Sequence, residues 1–154
     1  MVARSDRRGA PLTEGQPPES DSAPSLLIES LGCRVGPAPD RWRAAWRVRN
    51  VGASSVRLLE AWAPHGKFRA AVEQLSPAVD LSAAESTQLE LLVGCREPPA
   101  AVVENAFLIL RLEWRGQSWR VLTRMRVVVA ASGTPQHICE LTTAQPVGFS
   151  ANVS

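Results

Sequence analysis

The stretch Arg41–Asn50, RWRAAWRVRN, puts Trp42, Ala44, Trp46 and Val48 on one parity and Arg41, Arg43, Arg47 and Arg49 on the other. Successive side chains of a strand point to opposite faces, so this period of two marks a half-buried β-strand. The same alternation returns in SWRVLTRMRVVV, residues 118–129, where Trp119, Val121 and Val127 share the apolar parity and Arg120, Arg124 and Arg126 the polar one. Two such segments far apart in the chain predict an all-β domain whose strands each bury one face.

Working outward, strands are predicted at residues 26–35, 42–50, 56–62, 68–75, 87–93, 103–114 and 118–130. The last two are joined by a tight hairpin around Arg115, Gly116 and Gln117. About seven strands at this spacing predict an immunoglobulin-like antiparallel β-sandwich over residues 24–132. Helical alternatives in AWAPHGKFRAAVEQL and LSAAESTQLELL are rejected because Pro64 and Gly66 interrupt the first and the second is short. Residues 1–23, rich in Pro, Ser, Gly, Glu and Arg, carry too few large apolar side chains to repay ordering and are expected to be a disordered tail. Residues 133–154 form a C-terminal extension rich in strand formers. It is expected to add an eighth strand through Ile138 to Thr143, to bury Val147 and Phe149 across the loops, or to add a strand to a partner's sheet edge.

With 154 residues and 45% apolar side chains, the chain can build one real core. A net charge of +2 is too mild for a partner bound by electrostatics alone, so neither nucleic acid nor an anionic membrane is expected. Lys67 is the one lysine among 17 cationic residues, a bias that codon preference explains better than function does. No stretch reaches the roughly 18 apolar residues of a membrane span, and the basic N-terminus lacks an apolar signal core. A cytoplasmic chain with reduced Cys33, Cys95 and Cys139 is the expectation.

The strand ending in Asn50-Val51-Gly52, its polar turn and the later LSAAESTQLELLV resemble bacterial immunoglobulin-like sandwiches of the fibronectin type III or CARDB kind over residues 25–132. The resemblance implies an adhesion or spacer module that binds other proteins. The chain departs from antibody-type domains in lacking a cysteine pair on the second and sixth strands, and without tyrosine it has no tyrosine corner.

In an up-and-down alternation the first, third, fifth and seventh predicted strands finish at one pole, and the unusual side chains follow them. Cys33, His65 in AWAPHGKF, Cys95 in VGCREPPA, and His137 with Cys139 in PQHICE would gather there, while the opposite pole has only short turns. His65, Cys95, Arg96, Glu104 and Asn105 are therefore the candidate binding residues. A zinc or copper site built from Cys33, His65, Cys95, His137 and Cys139 is the alternative, although only His137 and Cys139 have paired spacing. Buried thiols and ordinary loop histidines are the plainer reading, and no cofactor is expected. A cysteine enzyme pairing Cys95 with His65 or His137, oriented by Glu104 or Asn105, comes third because no nucleophile motif accompanies it. No GxGxxG or phosphate loop is present, and the arginine stripes read first as salt-bridged solvent faces. Trp62 and Trp114 are expected to be the more exposed indoles. The reading as a whole is a non-catalytic module that binds another protein at the loop pole.

Overall fold

The computed structural model describes residues 22–148 and is all-β: β1 (Leu26–Val35), β2 (Arg41–Asn50), β3 (Val56–His65), β4 (Phe68–Leu81), β5 (Ser86–Gly94), β6 (Val102–Trp114), β7 (Gln117–Val129) and β8 (Pro135–Pro146). All pairings are antiparallel, in the order β1-β2-β5-β4-β3-β6-β7-β8. Eight strands thus form one nearly closed, barrel-like sheet, where the sequence leads one to expect seven in two layers. The predicted tail, apart from Ser22 and Ala23, lies outside the described residues, as does Phe149. Among the described residues no helix is long and apolar enough to cross a membrane.

The alternation that predicts the strands also fills the core. Trp46 and Val48 are fully buried while Arg47 and Arg49 between and after them face solvent. Leu58, Leu108, Leu110, Leu112, Met125 and Val127 enter the same cluster from β3, β6 and β7. Each such side chain contributes about 1.5–3 kcal/mol by leaving water.

Two features hold the ends. At the lower pole Asn50 is fully buried: its side-chain amide donates to the carbonyls of Ser54 (2.9 Å) and Leu81 (3.0 Å), and its Oδ1 accepts the Gly52 N–H (3.0 Å). The Asn50-Val51-Gly52 turn thereby ties β2 to the end of β4. The β6–β7 turn is the predicted tight hairpin, with Arg115 and Gly116 both at positive φ (52° and 74°), the backbone that matches the twist of the flanking strands.

The sheet is weak at two places. β4 and β5 share a single rung, Arg69 opposite Gly94, and β1 and β8 pack side by side without a ladder. Across the second gap reaches His137, expected in a loop but carried by β8 into the core at 3% exposure. Its Nδ1 meets the Ser30 hydroxyl at 2.8 Å and its Nε2 the Gly32 carbonyl at 3.2 Å. Its ring lies 4.6 Å from that of Trp46 and 5.8 Å from that of Phe68. With Nε2 protonated and donating to Gly32, Nδ1 accepts from Ser30, and a neutral imidazole satisfies both contacts.

Several elements depart from the expected bounds and exposures. β4 runs six residues past its predicted end, to Leu81, and β8 spans Pro135–Pro146 because Pro135, His137 and Cys139 alternate inward against exposed Gln136, Ile138 and Glu140. Trp114 is buried, its ring edge-on to Trp119 at 5.7 Å and capped by the Arg115 guanidinium, whereas Trp62 is half-exposed beneath Arg120. The arginine faces are salt-bridged in part: Arg47 with Glu29, Arg34 with Glu90, Arg111 with Glu60 and Arg124 with Glu140.

Candidate functional site

The ends of β1, β3, β5 and β7 do lie at one pole, as the antiparallel register requires, and there a pocket of about 450 Å³ opens. Its cause is the β4–β5 rung. Arg41 on β2 and Arg69 on β4 are the two cross-strand partners of Gly94, and beyond that rung β4 and β5 diverge. Leu92 and Ala71 line it from the two strands, and Pro39, Asp40, Gly66, Lys67, Cys95, Arg96 and Glu97 line it from the adjoining connections and strand ends.

Local hydrogen bonds stiffen the rim. In the β1–β2 connection the Gly36 N–H donates to the Arg41 carbonyl (2.9 Å) and the Arg41 N–H to that of Ala38 (3.1 Å). A Cβ at Gly36 would stand 2.3 Å from the Arg41 oxygen, so only glycine closes this loop without displacement. The Cys95 N–H donates to the Asp40 carbonyl (3.0 Å), the Trp42 indole N–H to the Cys95 carbonyl (3.1 Å), and Arg96 pairs with the Asp40 carboxylate at 2.9 Å. Ala100 and Ala101 bond reciprocally with Val129, which anchors the β5–β6 connection to β7. These loops are fixed to the scaffold by main-chain bonds.

Of the candidate binding residues, Cys95 and Arg96 line this pocket. His65 sits at the end of β3 beside the rim, its Nδ1 accepting the Lys67 N–H at 3.0 Å. Glu104 and Asn105 lie apart, exposed in a bulge of β6 where the register slips between Val103 and Ala106 and Asn105 takes φ 58°. Sequence reasoning misses Arg41, Lys67, Arg69 and Gly94. Arg41 reads as one more member of a solvent stripe, and its meeting with Arg69 across Gly94 depends on non-local register.

The five candidate metal ligands do not converge on one point. Cys33 is on β1 opposite Ala44, Cys139 on β8 opposite Met125, His137 in the core, and Cys95 and His65 at the pole. Among the described residues no group of three or more His, Cys, Asp or Glu side chains is placed to hold a metal ion. All three cysteines are free thiols. Burial pushes Cys33 up to about 12, with the nearby Cys95 adding to the effect, and Cys139 up to about 11, with Glu29 adding. Cys95 is raised as well, chiefly by burial. Burial holds His137 down to about 4 against the opposing hydrogen bond to Gly32.

No protein-family model matches this sequence, and no curated protein matches it either. The pocket's geometry therefore carries the functional reading.

Proposed function

We propose that this chain is a non-catalytic protein-interaction module, built on an immunoglobulin-like sandwich of the fibronectin type III or CARDB kind and recognising its partner at the loop pole. The carrying observation is the pocket of about 450 Å³ opened by the single β4–β5 rung and rimmed by main-chain-anchored connections. Rigid scaffolds presenting such loops are where recognition concentrates. The strand order supports the finer fold reading, since β1-β2-β5 and β4-β3-β6-β7-β8 are two ladders joined by one rung.

The three raised thiols weigh against a cysteine nucleophile, because the thiolate is the reactive form and burial disfavours it at each. The partner is a protein in a cytoplasmic setting. Nucleic acid and membrane binding are disfavoured by the mild net charge of +2. The test is affinity capture from extracts of the producing cell with three baits: the native chain, Gly66→Trp with Glu97→Trp to obstruct the rim sterically, and Val51→Glu at the opposite pole. Gly66 has open space around its Cβ position and Val51 is 51% exposed, so both changes are compatible with the fold. Capture by the native chain and the Val51 variant but not by the rim variant supports the reading. Equal capture by all three removes the pole as the site.

A further inference from the structure

We propose that the pole pocket binds a carboxylate-rich segment of the partner protein, gripped between Arg41 and Arg69 across the notch at Gly94. This rests on the pole being the recognition surface and specifies the chemistry it takes. Neighbouring strands lie roughly 4.8 Å apart, so the Cα atoms of Arg41 and Arg69, one strand to either side of Gly94, are about 10 Å apart. Paired residues share a face, and the residue between them has no side chain. The outcome is a hollow flanked by two guanidinium forks, a spacing suited to two carboxylates on one extended segment or to one carboxylate approached from both sides.

Charge bookkeeping around the pocket singles out the same residues. Arg96 is neutralised by Asp40, as Arg34, Arg47, Arg57, Arg111 and Arg124 are neutralised by acids elsewhere. Arg41, Lys67 and Arg69 have no ion pair among the described residues, although all three line one concave surface. Arg43, opposite the lining residue Leu92, extends the positive field down β2. Leu92 and Ala71, the apolar side chains of the lining from β5 and β4, suit the methylene stem of a glutamate.

Two features favour an acidic polypeptide over nucleic acid. Asp40 and Glu97 line the same pocket, so a backbone with a phosphate at every nucleotide would lie against fixed negative charge, whereas carboxylates spaced along a peptide can avoid it. The lining also contains no aromatic ring on which a base could stack.

The experiment is amide chemical-shift titration of the full chain at low ionic strength with a capped hexaglutamate peptide, hexaglutamine, inorganic phosphate and a deoxythymidine decamer. The expected result is saturable shifts at Arg41, Lys67, Arg69 and Gly94 with hexaglutamate and none with hexaglutamine. Affinity should fall on the order of tenfold or more in Arg41→Glu/Arg69→Glu. It should fall similarly in Gly94→Leu, which keeps every cation but fills the notch; the nearest atom to a Cβ there is the Arg69 carbonyl oxygen at 3.8 Å, so the variant has room to fold. Circular dichroism melting of each variant checks this. Shifts scattered over the arginine faces and unmoved by either variant overturn the proposal. So does tighter binding of the decamer at these residues, or saturation by phosphate with no gain from the peptide. The two readings fail separately: if Arg41→Glu/Arg69→Glu still captures the partner while the tryptophan rim variant does not, the pole stands and the acidic segment falls.

Discussion

His137 shows how one side chain can set the pH limits of the fold. Its imidazole is held down to about 4 by burial, against an ordinary value of 6.5, so between these pH values the unfolded chain binds the proton more readily. The stabilisation is complete above pH 6.5 and is lost as pH falls toward 4, a total of about 3 kcal/mol. Urea unfolding at pH 7, 5.5 and 4 should show this decline, and His137→Phe should flatten it while costing about 1–2 kcal/mol at pH 7 for the lost Ser30 and Gly32 contacts. An unchanged slope in the variant would mean that other groups dominate acid sensitivity. Asn50 offers a second measurement at this scale. Asn50→Leu leaves the Ser54 and Leu81 carbonyls and the Gly52 N–H without their partner, and about 3 kcal/mol of stability should go with them. Asn50→Asp retains the Gly52 contact but turns an oxygen toward two carbonyls, so it should cost at least as much. Equilibrium denaturation of both variants checks the order. The two residues differ in how far the sequence announces them. Asn50-Val51-Gly52 is recognisable as a turn closing a strand, whereas His137 reads as a loop residue because Pro135 precedes it and its partners lie more than a hundred positions upstream.

Among the elements, the strands are legible wherever one face is apolar and the other charged, as in β2 and β7, because burial then imposes a strict period. β4 is less so: beyond Ala70 its residues are mostly exposed, so no alternation marks its course to Leu81. In β8 the inward positions are Pro135, His137 and Cys139, a pattern with the correct period but an atypical composition. The pole loops add a constraint of another kind. Gly36→Ala would drive a Cβ into the Arg41 carbonyl at 2.3 Å, so the loop must open and Arg41 must move. Gly66→Ala meets open space in the neighbouring connection. Thermal melting should show a loss of about 1–3 kcal/mol for the first and a change within about 0.5 kcal/mol for the second. If the Gly36 variant melts like the native chain, the β1–β2 connection is not a rigid rim.

At the scale of the whole molecule, the assembly is two ladders held together by one rung, one histidine and a shared core. Strand directions alternate along the chain, so the common pole of β1, β3, β5 and β7 can be read from sequence; which strands neighbour one another and where the ladders part cannot, because both depend on non-local pairing and on the twist accumulated across the sheet. This division should govern how the molecule opens. β6 is paired along both edges, by β3 and β7, and supplies Leu108, Leu110 and Leu112 to the centre of the core. β1 and β8 each have one paired edge, and between them lies a groove of about 320 Å³ lined by Leu26, Leu27, Ile28 and residues 139–142. Local opening follows the lowest density of hydrogen bonds and buried contacts. Native-state hydrogen exchange at pH 7 should therefore give the slowest amides in β6 and the fastest strand amides on the facing edges of β1 and β8, with Ser30 and Gly32 near the His137 contact intermediate. Amides on that facing edge of β8 as protected as those of β6 would require a continuous β1–β8 ladder in solution, making the molecule a closed barrel with its one weak rung at Gly94.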